Sequence, residues 1–200
     1  YKVSGGLHGV GASVVNALSD WLEVEICRDG NIYRQRYERG NTVSKLEIEG
    51  TCKKSKHGSR VTFKPDATIF DETVFDYDIL KQRLREMAFL TKGVKITLED
   101  KREGKEQKKE FHYTGGIKEF VQYLNKSKES LYPTIIYCEG KVDGVMVEVA
   151  IQHNDSYTES TYSFVNNINT PEGGTHVTGF RNALTKTFND YARKNGLLKE

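Results

Sequence analysis

The residues best suited to chemistry lie near the start of the chain, where closely spaced glycines precede an apolar segment. Residues 5–11 read Gly-Gly-Leu-His-Gly-Val-Gly and continue into Ala-Ser-Val-Val-Asn-Ala-Leu at 12–18. Glycines let the backbone approach a ligand closely, and the first turn of a helix leaves N–H groups without intrahelical partners. Such a junction suits a phosphate. The spacing matches neither the Rossmann nor the P-loop glycine pattern, so a plain glycine-rich turn is the alternative.

The overall composition is that of a polar globular protein. Of the 200 residues, 36% are hydrophobic and 29% are charged, and the net charge is +2. This length suits one large domain or two smaller ones. The net charge is too small to argue for nucleic-acid binding. A basic cluster could bind phosphate, but a solvated loop explains it more simply; it comprises Lys53, Lys54, Lys56 and Arg60.

The three cysteines are odd in number and widely spaced, at Cys27, Cys52 and Cys138. Their spacing is typical of neither a disulfide framework nor a zinc site, so we expect thiols in a reducing cytosol. No apolar run approaches the ~20 residues that span a bilayer, which predicts no membrane segment. The chain shows no signal peptide and does not begin with methionine, so we expect a piece of a longer protein.

Apolar periodicity predicts a mixed α+β chain. Residues 22–26 alternate as a half-buried strand does, and Asp29-Gly30 predicts a two-residue hairpin leading to a strand at 32–37. Further strands are expected at 46–49, 59–63, 94–98, 111–113 and 145–151. Helical spacing of apolar residues marks 77–88, 117–124 and 180–192.

A polar, charged run at 126–130, shortly before Pro133, is typical of a linker. It predicts a boundary between two domains, residues 1–128 and residues 129–200. Within the first, Glu86 is expected with Arg83 and Arg85 on an exposed, ion-paired helix face. Three aromatic residues could stack bases, although burial in a core or on a sheet face explains them more simply; they are Tyr157, Tyr162 and Phe164.

Five blocks of sequence carry a resemblance to a known family. The first, at 1–11 and 13–19, resembles the ATP lid of the B subunits of bacterial type II DNA topoisomerases, which are GHKL ATPases. The other blocks recur in that family in the same order, at 83–90, 115–118, 123–126 and 166–176. Together they span essentially the whole chain, which is therefore identified as a member of that family.

The resemblance implies a particular division of the fold. Residues 1–128 correspond to the C-terminal part of a GHKL (Bergerat-type) ATPase α/β sandwich, including its ATP lid. Residues 129–200 correspond to the beginning of the transducer domain, whose fold is similar to domain 2 of ribosomal protein S5.

The resemblance also implies an ATP-binding role for part of the chain. The lid backbone is expected to cradle the phosphates, through Gly5, Gly6, Leu7, His8, Gly9, Val10 and Gly11. Tyr1 matches a tyrosine that reaches the adenine side of the nucleotide. Ser59 stands where relatives usually carry threonine, and its hydroxyl is expected to support the acidic residue that reads the adenine amino group.

In the family, other parts of the ATPase precede or follow this stretch. The general-base glutamate, the magnesium-binding asparagine and the adenine-reading aspartate come before the lid, and the γ-phosphate lysine comes after Glu200. We therefore expect no catalytic residue and no metal ligand within this chain. Hydrolysis needs a base, a metal and charge stabilisation together, so the chain alone is predicted not to hydrolyse ATP.

The resemblance implies ATP-driven change of DNA topology in the bacterial cytoplasm. The expected cofactors are ATP and Mg²⁺, and the expected partners are DNA, a second copy of the B subunit, and the gyrase A subunit in an A2B2 assembly. Gyrase is favoured over topoisomerase IV, whose B subunit carries nearly the same lid. Two alternatives stay open: a non-catalytic dimerisation or DNA-binding module of this fold, and another GHKL protein such as a chaperone, mismatch-repair protein or histidine kinase.

Overall fold

The computed structural model describes residues 10–198, which divide into two compact units, 10–76 and 77–198. Both units combine helices with antiparallel strands, so the predicted α+β class is confirmed. The domain boundary expected between residues 128 and 129 stays a prediction. Among the described residues, no helix is both long enough and apolar enough to cross a membrane.

The first unit is one helix and an antiparallel sheet. Its elements are α1 (Val10–Ala17), β1 (Ser19–Arg28), β2 (Asn31–Glu38), β3 (Asn41–Thr42), β4 (Glu47–Thr51) and β5 (Gly58–Pro65). The strand order is β3-β2-β1-β5, and β4 also pairs with β2. The central strand β1 therefore joins the hairpin partner β2 to the later strand β5.

The turn between β1 and β2 confirms the hairpin predicted from Asp29-Gly30. Both residues have positive φ, 52° at Asp29 and 84° at Gly30, and Arg28 pairs directly with Asn31. Positive φ at both central positions is the requirement of a type I′ turn, which matches the twist of antiparallel strands. Glycine meets that requirement without steric cost.

The second unit alternates helices with two-stranded hairpins. Its elements are α2 (Tyr77–Leu90), β6 (Lys95–Asp100), β7 (Gln107–His112), α3 (Ile117–Leu124), β8 (Ile136–Val142), β9 (Val145–Ile151), β10 (Phe164–Val165), β11 (Ile168–Asn169) and α4 (Thr175–Lys194). The strands pair β6-β7, β8-β9 and β10-β11.

The core of the second unit lies between α2, the β6-β7 hairpin and α3. Phe89 is 1% exposed, and its ring stacks on Tyr113 at a centroid distance of 3.6 Å and on Phe120 at 4.9 Å. Ala88 and Phe111 are buried beside it. Aromatic packing of this kind stabilises the core of the unit.

Three sequence expectations are wrong. Cys27 and Cys52 form a disulfide, because the sheet brings together the end of β1 and the residue after β4. Glu86 is 6% exposed rather than on an exposed face, since α2 turns it inward, where it accepts a hydrogen bond from Gln82; the expected ion pair with Arg83 is confirmed, at 3.1 Å. Tyr157 is fully exposed, because it lies in a segment without helix or strand. Tyr162 is also 44% exposed, although its ring contacts Phe120, and Phe164 is half-buried against the same ring.

Candidate nucleotide-binding site

The predicted site residues divide into two sets. Tyr1, Gly5, Gly6, Leu7, His8 and Gly9 lie outside the described residues. Val10 and Gly11 form the first turn of α1, and Ser59 lies near the start of β5. The described part of the site is therefore one helix N-terminus and one sheet edge of the first unit.

The N-terminal turn of α1 is open. Val10 and Gly11 are both exposed, and a Cβ placed on Gly11 would meet no heavy atom of residues 10–198 within 4 Å. The first N–H groups of a helix lack intrahelical acceptors and lie at the positive end of the helix dipole. This turn can therefore donate backbone hydrogen bonds to an anionic ligand.

The C-terminal end of α1 is fixed to the sheet. The Oγ of Ser19 donates to the carbonyl of Val15 at 2.6 Å, and Ser19 is 1% exposed. The carbonyls of Leu18 and Ser19 accept hydrogen bonds from the N–H groups of Asp66 and Arg39, at 3.1 and 3.2 Å. The backbone after α1 is thus held by the turn after β2 and by the end of β5.

A close backbone approach strengthens this attachment. A Cβ on Gly40 would lie 3.3 Å from the Cα of Ala17, and Gly40 has φ of 82°. The Nδ2 of Asn16 also donates to the Gly40 carbonyl at 3.4 Å. Glycine suits this position because it tolerates both the positive φ and the short distance.

Asp66 is the buried charge at this attachment. Its carboxylate accepts hydrogen bonds from the Oγ1 and N–H of Thr68, at 2.7 and 2.9 Å, and from the Nε of Arg39 at 2.9 Å. The hydroxyl of Thr68, then its N–H, and then the Arg39 charge hold the pKa of Asp66 below its usual value. Asp66 was not among the residues predicted from sequence, although Asp-Ala-Thr at 66–68 has the spacing of a local Asx turn.

Ser59 belongs to the apolar face of the sheet. It lies directly opposite Ile26, and the next pairs along this face are Val24 with Val61 and Leu22 with Phe63. Directly opposite residues in antiparallel strands share a face, so the hydroxyl lies at the end of an apolar surface. Val61 and Phe63 remain exposed among the described residues. A flat aromatic base would find apolar contact here beside one hydroxyl.

The opposite face of the same sheet is charged. Glu23 pairs with Arg34 at 2.6 Å and with Arg36 at 3.8 Å, and Arg34 also pairs with Glu49. The hydrogen bond from Arg34 is the main cause of the lowered pKa of Glu23. These charges line a groove of about 340 Å³ but neutralise one another. The face is therefore a solvated ion-pair network.

A second polar cluster ties several elements of the second unit together. The hydroxyl of Tyr137 lies 2.6 Å from Oε2 of Glu139 and 2.7 Å from Oε1 of Glu148, and these carboxylates raise its pKa. Lys92 donates to Glu148 at 3.1 Å, and the Nζ of Lys118 lies 4.2 Å from the Tyr137 ring centre. The cluster links the loop after α2, helix α3 and the β8-β9 hairpin.

Side-chain amides form hydrogen bonds between the residues before and after 126–130, the segment predicted to be a linker. The Nδ2 of Asn125 donates to Gln152 at 2.9 Å, and Asn154 donates to the Oδ1 of Asn125 at 2.9 Å. Gln152 in turn donates to the carbonyl of Tyr132 at 3.0 Å. Asn125 is buried, so these bonds satisfy its amide and hold the two sides of 126–130 together.

The residues present fit the two expected cofactors differently. The open first turn of α1 and the apolar face ending at Ser59 suit the phosphate and base of a nucleotide. Within 10–198, no group of three or more His, Cys, Asp or Glu side chains could hold a metal ion.

Comparison with known proteins gives consistent matches. The family model described as DNA gyrase B matches residues 116–200. The chain is 57% identical to the B subunit of DNA topoisomerase 4 from Streptococcus pneumoniae serotype 4 and 56% identical to the B subunit of DNA gyrase from Halalkalibacterium halodurans. Each match covers 100% of this chain and 31% of the relative. The chain thus spans about a third of the length of these relatives.

Solved structures match over nearly the whole chain. The 43K ATPase domain of Thermus thermophilus gyrase B, solved with an aminocoumarin, is 39% identical with a TM-score of 0.80, covering 96% of this chain and 52% of that one. The gyrase B subunit of Myxococcus xanthus is 29% identical with a TM-score of 0.80, covering 92% and 52%. The two units therefore have the fold found in these ATPase regions.

Proposed function

Because this chain belongs to the family of bacterial type II DNA topoisomerase B subunits, we propose that it supplies their ATP lid and the start of their transducer domain. In the proposed enzyme, ATP binding and hydrolysis drive the passage of one DNA duplex through another. The observation that carries the proposal is the α1 helix, which is open at its N-terminal turn and fixed at its C-terminal end.

Each proposed residue has a defined part in nucleotide binding. Backbone N–H groups of the lid donate to phosphate oxygens; they belong to Gly5, Gly6, Leu7, His8, Gly9, Val10 and Gly11. Tyr1 reaches the adenine side of the nucleotide, and the Ser59 hydroxyl supports the acidic residue that reads the adenine amino group. Preorganised donors stabilise charge as it moves between phosphate oxygens. Fixing α1 at its far end supports this role, because donors that are already oriented cost little reorganisation on binding.

The catalytic base and the Mg²⁺ ligands are proposed to come from other parts of the B subunit. Mg²⁺ bound with the nucleotide would neutralise phosphate charge and orient the reacting oxygens. The proposed partners are a second copy of the B subunit, the gyrase A subunit in an A2B2 assembly, and DNA, in the bacterial cytoplasm.

Gyrase is the proposed enzyme, with topoisomerase IV as the second candidate. The gyrase B family model and the gyrase B structures support the first, whereas the 57% identity to a topoisomerase IV relative supports the second. Negative supercoiling of relaxed plasmid by the B subunit together with the A subunit would support gyrase. Decatenation or relaxation without supercoiling would support topoisomerase IV.

The Gly11→Ala variant tests the nucleotide role. Alanine at Gly11 meets no atom of the described residues within 4 Å, so the fold is expected to persist while the methyl group occupies ligand space. Gly140→Ala is the matched control, because that exposed glycine in β8 also has no neighbour within 4 Å. In the B subunit, Gly11→Ala should lower ATP hydrolysis by roughly 100-fold, and Gly140→Ala should leave it unchanged. Equal activity of the two variants would refute the proposed lid.

The isolated chain gives a complementary test. Without the base and metal ligands it should show no ATP turnover at micromolar concentration. Turnover above that of the Gly11→Ala chain would overturn the assignment of the catalytic groups to other parts of the subunit.

A further inference from the structure

The disulfide lies where the sheet brings two chain segments together. Cys27 is the penultimate residue of β1, and Cys52 directly follows β4. The N–H of Cys52 donates to the Gly30 carbonyl at 2.9 Å, which holds it against the β1-β2 hairpin. The two Cα atoms are 6.6 Å apart although 25 residues separate the cysteines in sequence. Backbone pairing therefore positions the sulfurs whether or not they are bonded.

An exposed loop lies over the disulfide but leaves both cysteines partly accessible to solvent. Residues 53–57 are all exposed, and both cysteines are only half-buried. Within the loop, the Lys56 N–H donates to the Lys53 carbonyl at 2.8 Å. The Lys56 carbonyl lies 3.5 Å from the sulfur of Cys27. A small reagent can therefore reach the sulfurs by displacing a solvated loop.

The loop leads directly to the proposed nucleotide residue. Gly58 pairs with Cys27 and Ser59 pairs with Ile26, so the loop ends at the sheet beside the disulfide. When the sulfurs are bonded, both ends of the loop are held to β1. When they are reduced, the Cys52 end is held by the hydrogen bond to Gly30 without a covalent link.

We propose that Cys27 and Cys52 form a reversible thiol–disulfide site, oxidised by low-molecular-weight disulfides, that fixes the loop before Ser59. The proposal rests on the proposed function for its cytoplasmic setting, where protein disulfides are usually transient and redox-sensing. Basic residues neighbour both cysteines in sequence, as in the electropositive surroundings where reactive cysteines occur; they are Arg28, Lys53, Lys54 and Lys56.

The chemistry balances as two exchange steps. The thiolate of one cysteine attacks a small disulfide RS–SR, forming a mixed disulfide and releasing RS⁻. The second cysteine thiolate attacks the protein sulfur of that mixed disulfide, closing the Cys27–Cys52 bond and releasing a second RS⁻. The protein loses two electrons and two protons, and RS–SR is reduced to two RSH. Excess RSH reverses both steps.

The test uses the whole chain with Cys138→Ser, which removes an exposed free thiol among the described residues. Oxidised glutathione should close the ring, seen as loss of both thiols and a mass lower by two hydrogens. Dithiothreitol should reopen it. Trypsin should then cut after Lys53, Lys54 and Lys56 about fivefold more slowly in the oxidised chain, because a closed loop opens less often. Cleavage after the exposed Lys141 in β8 should not change.

Cys27→Ser in the same background is the matched variant, and its loop cleavage should not depend on redox state. Three results would overturn the proposal: a disulfide that dithiothreitol cannot reduce, a mixed disulfide that never closes, and equal loop cleavage in both states. None of these measurements uses nucleotide, so failure of the ATP proposal would be seen separately.

Discussion

The guanidinium Nε of Arg39 lies 2.9 Å from the carboxylate of Asp66, and together they join the turn after β2 to the end of β5. Asp66 is only 2% exposed, whereas Arg39 reaches the surface. The backbone N–H groups of the same two residues bond to the carbonyls just after α1. This ion pair therefore links the two backbone segments that hydrogen-bond to the end of the proposed lid helix.

Asp66→Asn should weaken this attachment. The amide offers neither Thr68 nor Arg39 a charged acceptor, so the hydrogen bonds to this buried side chain become weaker. We expect the melting temperature to fall by roughly 5 °C, measured by circular dichroism. The control is Asp20→Asn, which breaks a more exposed pair with Lys64 and should shift the melting temperature by less than about 2 °C. Equal shifts in melting temperature for the two variants would show that the Asp66–Arg39 pair contributes no more to stability than an exposed ion pair.

Gly30→Ala should destabilise the β1-β2 hairpin. The φ of 84° at Gly30 is unfavourable for a side chain, and the new Cβ would lie 3.4 Å from the Cγ of Lys54. The expected cost is about 1 kcal/mol of unfolding free energy, measured by urea titration. Gly50→Ala in β4 is the control, because its Cβ would have ordinary contact with Ile32 at 3.8 Å. A neutral Gly30→Ala would contradict the type I′ turn.

Phe89→Ala should remove the centre of the core in the second unit. Its ring contacts Tyr113 and Phe120, and the substitution leaves a cavity among buried side chains. We expect a loss of about 3–5 kcal/mol in unfolding free energy. Phe188→Ala on α4 removes the same ring from an exposed position and should cost far less. Similar losses for both variants would place the core elsewhere.

Asp100 should make stability depend on pH in the acid range. Its side-chain hydrogen bond with Arg102 is the main cause that lowers the pKa to about 2. The pKa of an Asp side chain in the unfolded chain is about 3.9. The contribution of Asp100 to the free energy of unfolding is therefore fully present above that pH, and it is lost as the pH falls from about 4 to about 2. Asp100→Asn should therefore melt at a lower temperature than the parent chain at pH 6, with the difference shrinking below pH 4. A constant difference down to pH 2 would contradict the lowered pKa.

Local features were predictable from sequence because their causes are local. Asp29-Gly30 specifies its own turn, and apolar alternation marks β1 and β9. The β8 strand went unpredicted because Gly140 and neighbouring charged residues obscure its pattern. Asp143-Gly144, with φ of 49° and 84°, carries the same hairpin signal and could have revealed it.

Features that depend on distant pairing were not predictable in the same way. The cysteine pair and the Arg39–Asp66 pair join residues 25 and 27 positions apart. Their proximity follows from the pairing of β1 with β2 and β5 and of β2 with β4, which periodicity alone does not specify. For the site, the glycine pattern suggested phosphate, and the resemblance supplied the identity of the nucleotide.

The strand pairings of residues 77–198 have a consequence for the order of folding. Strands β6 to β11 each pair with their immediate neighbour in the chain, through short turns. Such contacts close small loops and form quickly, so each hairpin can assemble during synthesis as soon as it leaves the ribosome. In residues 10–76, β1 can pair with β5 only after the chain has been synthesised as far as β5, which begins 30 residues after β1 ends. The central strand of the proposed nucleotide surface is therefore completed late in the folding of its own unit.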